Sequence, residues 1–234
     1  QEALQAVAEL NQTARGKLQI GANEATCLYV LPKTFARFKQ LYPLVQISIY
    51  RNFSHKIVQK VQEGAVELGI ITLPLNVSNM EVIPLFRDEV QVVVPANHPL
   101  AKNRSVTVEE VANHPLILPK TGHTRVVIDR LLRDYRDHVQ VSMELASVET
   151  IKKFVGAGLG ISLISRTYAQ PEVAAGLLKL IPLEDQKLYR ELGLIYRRDR
   201  YLSLPAKVFI EVVRESTKSP NSGANSTAKT QSIK

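Results

Sequence analysis

One pattern of alternating strand-like and helix-like segments is written twice in this chain, about 95 residues apart. The first copy runs from Lys17 to Thr72 and the second from Pro115 to Ser165. Apolar strand-like runs centre near Ile20, Ile47 and Ile70 in the first copy. In the second they centre near Ile117, Val141 and Ser162, with a helix-like stretch in each gap. Such alternation implies parallel strands joined by right-handed crossovers. Two βαβαβ units therefore predict an α/β fold of two Rossmann-like lobes with a ligand cleft between them.

Composition removes several classes of function. The chain has 234 residues, 45% of them apolar, enough for one large domain or two small lobes with real cores. No apolar run approaches the roughly 18 residues of a membrane span, so no membrane partner is expected. Gln1-Glu2-Ala3-Leu4 lacks the basic and apolar regions of a secretory signal, which favours a cytoplasmic location. The single cysteine, Cys27, excludes an internal disulfide framework and a Cys-based zinc site, and reads as a buried small residue. The formal net charge is +8, but the tail from Lys218 to Lys234 carries lysine and no acid. The other basic residues interleave with Asp and Glu, which reads as a solvated surface plus a basic tail rather than a nucleic-acid arm.

Along the chain, residues 1–15 carry a helical stripe of Leu4, Val7, Ala8 and Leu10. A helix is predicted over Leu28–Tyr42, with Pro32 in its first turn and Pro43 as its stop. Lys56–Gln62 is a shorter helix closed by Gly64. Leu68–Thr72 reads as a buried central strand. Val82–Phe86 and Glu89–Pro95 read as two further strands, and Thr107-x-x-Glu110 as a capping box. In the second copy, Thr121-Gly122 opens a helix bearing Ile128, Leu131, Leu132 and Tyr135. Ser147 and Ser165 are placed to cap two more helices. Leu178–Ile181 and Leu188–Tyr196 are strands, and Pro205–Arg214 a last helix. Residues 217–234 hold almost no apolar side chain and are expected to be disordered.

In α/β sheets ligands bind outside the carboxyl ends of the strands, beside helix N-termini. Four strand-to-helix loops become candidates: Asn23–Cys27, Asn52–His55, Lys120–Thr124 and Ala146–Glu149. Unpaired N–H groups and helix dipoles there favour a carboxylate or other anion. Thr26, Ser54, Thr121, Thr124 and Ser147 would supply hydroxyls, with Asn23, Gly122 and Thr72 beside them. The same residues serve equally well as ordinary N-caps, so both readings stand. His123 is either a donor to a carboxylate or a solvated surface residue. Glu24 either points outward or meets an ammonium group on the ligand.

No H-E-x-x-H, G-x-S-x-G or P-loop pattern occurs, and His55, His98, His114, His123 and His138 lack metal-ligand spacing. Gly156-x-Gly158-x-Gly160 precedes a strand instead of following one, so it reads as a tight helix-to-strand turn rather than a dinucleotide loop. No catalytic group, metal or cofactor is nominated.

Several segments resemble the effector-binding domain of LysR-type transcriptional regulators. They are Gly21 followed by Leu31-Pro32, Phe35, Phe38 and Tyr42-Pro43; Val61-x-x-Gly64 before Leu68-Gly69-Ile70; Pro95-Ala96-Asn97-His98-Pro99-Leu100; and Val155-x-Ala157-Gly158-Leu159-Gly160-Ile161-Ser162-Leu163-Ile164. Their order holds across roughly 17–215. The resemblance implies the type 2 periplasmic-binding-protein fold, two lobes joined by two crossing strands near Asp88–Gln91 and Ile195–Arg197. Lobe I would be 17–88 plus 197–216, lobe II 89–196, and 1–16 the end of a linker helix after a winged helix absent from this chain. It further implies a non-enzymatic sensor of a small metabolite, with effector contacts at Thr26, Ser54, Thr121–Thr124 and Ser147. The partners implied are a second copy in a homodimer, or three more in a full-length tetramer, with DNA and RNA polymerase met only through the full-length protein. Glu24-Ala25 departs from the Ser or Thr common in the first loop of members with anionic effectors. An exported solute-binding protein or an enzyme on the same scaffold are the other readings.

Overall fold

The computed structural model describes residues 14–75 and 78–218. The helix expected over 1–15 lies outside them except for Ala14 and Arg15, which enter the first strand without helical structure. Strand β1 (Gly16–Ala22) pairs in parallel with β2 (Val45–Arg51) and β3 (Leu68–Leu73), so that Ile20 sits beside both Ile49 and Leu68. Helices α1 (Glu24–Tyr29), α2 (Leu31–Leu41) and α3 (Ser54–Glu63) make the crossovers.

The single helix expected over Leu28–Tyr42 is two helices. Asn23 caps the first, and Pro32 stands in the first turn of the second, where its missing N–H is tolerated. The break falls at Val30, and Glu24–Cys27 is helix rather than loop.

β4 (Met80–Pro95) is one continuous strand where two were expected. Nothing between Phe86 and Glu89 turns the chain. The irregularity is a register shift between Pro84 and Phe86, where proline removes a ladder donor. After helix α4 (Val108–Ala112), capped by the Thr107–Glu110 box, the second unit follows. It runs β5 (Leu116–Pro119), α5 (His123–Leu131), β6 (Val141–Leu145), α6 (Val148–Gly156), β7 (Ser162–Ser165), α7 (Arg166–Ala174) and β8 (Leu178–Ile181). β5 and β6 are parallel, and Leu116 bridges to Ile161 at the entry to β7. The turn before β7 is close: a Cβ on Gly160 (φ +154) would lie 2.6 Å from the Pro115 carbonyl oxygen.

β9 (Leu188–Arg197) and helix α8 (Leu204–Lys218) complete the described residues. β4 and β9 run antiparallel and tie the halves together. The far end of β4, Val90–Pro95, pairs with β7 and β8, whereas Leu192–Tyr196 of β9 pair with β3. Ile195 and Tyr196 lie beside Gly69 and Leu68, whereas Leu188–Arg190 face Val90, Glu89 and Asp88. Residues 217–218, expected in the disordered tail, still belong to α8.

Each half has cores on both faces of its sheet. In the first, Leu18, Ile20, Phe38 and Phe209 fill one side and Ile57, Val61 and Ile71 the other. In the second, Leu116, Leu118 and Leu163 face one way, Ile117 and Ile164 the other. The alternation is the period of two along a strand. Each such side chain is worth about 1.5–3 kcal/mol of burial. α8 returns to the first core through Ala206, Phe209 and Ile210.

Candidate functional site

A cleft of about 460 Å³ opens between the two halves. Nine of the ten residues expected at a ligand site line it. Asn23, Glu24, Ser54 and Thr72 come from the first half. Thr121, Gly122, His123, Thr124 and Ser147 come from the second. Thr26 is the exception: it is fully buried inside α1, because the helix begins at Glu24 and turns its side chain inward.

The loops that look alike in sequence differ in what their polar atoms do. The Thr26 N–H donates to Asn23 Oδ1 (2.8 Å), and the Thr150 N–H donates to Ser147 Oγ (3.3 Å). Both side chains therefore cap their own helices. α3 and α5 are different: Phe53 and Gly122 occupy their N-cap positions, and neither helix has a side-chain cap. Gly122 takes φ 100, a backbone geometry open to it because it has no Cβ. First-turn N–H groups from the two halves are thus left for other partners. Ser54 is held in place by the Thr72 N–H, which donates to its Oγ at 3.2 Å. Ser165, expected as a cap, makes no cap bond, and its hydroxyl has no hydrogen-bond partner.

Glu24 is balanced by Arg51 at 3.7 Å, a cleft residue that the sequence reading passed over. Arg51 ends β2 one position before the second loop, so its place was readable there. His123 is half-buried, and burial first, then Arg130, hold its imidazole below the ordinary value. That direction favours the neutral imidazole, which offers one N–H. Cys27 is half-buried against the first core, and burial pushes its thiol up.

Leu163, Ile164, Ser165, Tyr168 and Arg190 also line the cleft; in the sequence Ser165 stands out as a cap and Leu163-Ile164 as part of the family-like segment, whereas nothing singles out Tyr168 or Arg190. Arg190 is the neighbour of Asp88 across the β4–β9 ladder, with Nη2 3.7 Å from Oδ2 and both side chains almost fully buried. The Tyr168 ring lies under its guanidinium at 4.4 Å. Burial raises the Asp88 carboxyl above its ordinary value, with Arg190 opposing. No local pattern marks Arg190: it is the third residue of β9, between Tyr189 and Glu191, and only strand pairing brings it to the cleft.

A second polar cluster joins α1 of the first half to α6 and α7 of the second. Lys152, 1% exposed at its side chain, donates to Glu172 at 2.8 Å, to the Tyr168 carbonyl at 2.9 Å and to the Tyr29 hydroxyl, and pairs with Glu149 at 2.9 Å. Tyr29 in turn donates to Glu149. Among the described residues no His, Cys, Asp and Glu cluster suits a metal ion, and no helix is long and apolar enough to cross a membrane.

Comparison with known proteins places this architecture. The family model for the LysR substrate binding domain matches residues 11–218. A probable RuBisCO transcriptional regulator of Trichormus variabilis is 31% identical over 229 residues, covering 94% of this chain and 68% of that protein. Among solved structures, the regulatory domain of Synechocystis CcmR in complex with 2-PG superposes with a TM-score of 0.79 at 23% identity, covering 88% of this chain and 99% of that one. The effector-binding domain of QuiR in complex with shikimate gives 0.77 at 21% identity, covering 88% and 98%. The fold is therefore that of LysR effector-binding domains, the type 2 periplasmic-binding-protein fold. The match decides between the sensor and the exported solute-binding protein: the chain belongs to the LysR substrate-binding domain family, the ligand-sensing part of LysR-type transcriptional regulators.

Proposed function

We propose that the cleft binds a small anionic metabolite and that its occupancy controls how a full-length regulator engages DNA and RNA polymerase. The observation that carries this reading is the meeting of two uncapped helix N-termini, one from each half, across one cleft. Such termini attract anions, each dipole adding about 0.3–1 kcal/mol where exposed and more in a dry site. Ser54 and Thr121 stand beside them. The ligands in the CcmR and QuiR structures, 2-PG and shikimate, give the reading two starting compounds. The protein acts in this reading as a cytoplasmic sensor without catalysis, as a homodimer or, when full-length, a tetramer. Its lobes divide near the two crossings, with residues up to Asp88 and from Leu192 onward in lobe I. Differential affinity of the metabolite for two assembly states supplies the shift.

A thermal-shift screen of metabolites, with 2-PG and shikimate included, tests the reading. A binder raises Tm by mass action, and about 100 Kd of free ligand adds roughly 2.7 kcal/mol. Ser54→Ala with Thr121→Ala is expected to weaken that shift while the protein stays folded. A broad panel with no shift, or unchanged affinity in the double variant, removes the site from these loops.

A further inference from the structure

Buried polar groups are as a rule hydrogen-bonded, and several at the cleft floor, in and behind its wall, are not. Arg190 Nε and Nη2, Tyr168 OH, Ser165 Oγ and Thr26 Oγ1 lack a close hydrogen bond, as does the acceptor Asp88 Oδ2. The guanidinium N–H groups can only donate, whereas the three hydroxyls can donate or accept. They come from three places: α1 of the first half, the β7–α7 junction of the second, and the crossing strand β9. Arg190, Tyr168 and Ser165 form part of the cleft wall, and Arg190 is only 3% exposed. Nε and Nη2 of one guanidinium make a single planar edge, whose two N–H groups match the two oxygens of a carboxylate. Asp88 does not satisfy that edge. Its Oδ2 lies 3.7 Å from Nη2, too far for a hydrogen bond, and is itself without a partner.

We infer that this floor is a carboxylate subsite, in which the monoanionic head of the effector meets Arg190 edge-on and accepts from the Ser165 and Tyr168 hydroxyls. The inference deepens the proposed cleft reading and rests on it. The charge sum favours a monoanion. With the Asp88 carboxyl protonated, the direction in which burial pushes it, Arg190 offers one positive charge, which a carboxylate cancels and a phosphate dianion exceeds where water is excluded. Arg51 does not relieve this, because Glu24 already stands 3.7 Å from it. The rim of helix N-termini then meets the remainder of the metabolite, and the floor sets its charge class.

The test follows the Arg190 side chain directly in ¹H–¹⁵N spectra of arginine Nε–H groups. Its resonance is assigned by its loss in Arg190→Lys, or by through-bond transfer from the backbone if that variant does not fold. Sodium acetate, acetamide and sodium phosphate are titrated at constant ionic strength. Acetate is expected to move the Arg190 Nε–H resonance downfield and to saturate, acetamide to leave it in place, and phosphate to act roughly tenfold more weakly. An unmoved resonance in acetate identifies a purely structural Arg190–Asp88 pair and overturns the proposal. So does an equal response to acetamide, and a stronger response to phosphate overturns the carboxylate assignment. The two readings fail separately. Metabolites that raise Tm while acetate leaves Arg190 unmoved remove the subsite and keep the cleft; a silent metabolite panel removes the cleft reading itself.

Discussion

Asn23 and Ser54 stand in loops of similar composition, yet their side chains do different work. Asn23 accepts from its own helix, whereas Ser54 accepts from Thr72 on a neighbouring strand. Local sequence permits both, and the position of the strand decides. Lys152 makes the same point with larger energies. Its ammonium is buried among two carboxylates, a phenol and a carbonyl. Lys152→Met keeps the volume but leaves Glu172 and the Tyr168 carbonyl without that donor and Glu149 with Tyr29 alone. The expected loss is about 3 kcal/mol, the low end for a broken buried pair, because Glu149 and Glu172 remain partly exposed. Urea denaturation measures it, and a loss below about 1 kcal/mol would show that the cluster is open to water. Asp88 gives a pH signature. Burial raises its folded pKa above the ordinary 3.8, so between that value and the raised one the folded state binds more protons than the unfolded state. This group's contribution to stability therefore falls as pH rises through that window. Asp88→Asn is expected to flatten that slope in denaturation curves taken from about pH 4 upward, and an unchanged slope would assign it to another group.

At the scale of elements, most strands and helices were legible because their cause is local. The period of two in Val90, Val92 and Val94 and the capping box at Thr107 survive intact in the fold. The failures have physical causes as well. Apolar spacing continues across Val30 and reads as one helix, although Val30 ends α1 and Pro32 stands in the first turn of α2. Charged Arg87 and Asp88 read as a loop, whereas Asp88 is held in the ladder opposite Arg190. The Gly156–Gly160 turn was readable as a close approach, and the structure supplies its reason in the Pro115 carbonyl. Gly160→Ala adds a Cβ 2.6 Å from that oxygen at φ +154. The expected cost is about 2 kcal/mol or more, from strain and a forced shift between β5 and β7. A drop in Tm of several degrees would report it, and wild-type Tm would mean that the turn relaxes freely.

Over the whole molecule, the two halves are held by connections that skip along the chain. α8 follows the second half in sequence yet fills the first core, where Phe209 packs against Phe35 and Phe38 at ring distances of 5.4 and 5.3 Å. Phe209→Ala is expected to cost about 3–5 kcal/mol, as for other large core truncations. Hydrogen exchange should then rise in α8 and in β1 together, since one core serves both; protection lost in α8 alone would mean that the helix is an appendage.

The sequence by itself determined the alternation of elements, the two-unit plan and the loops that face the cleft, because periodicity, caps and chain breakers act over a few residues. Nine of the ten residues it nominated line that cleft. Only the tertiary structure decided which caps stay free, that Thr26 lies inside a helix, and that Arg190, Tyr168 and Ser165 converge on the floor. Those residues meet through the pairing of β4 with β9 and β7, contacts between positions far apart in the chain. A buried donor is costly or useful according to what lies across from it, and that partner is set by the sheet, not by the neighbours in sequence.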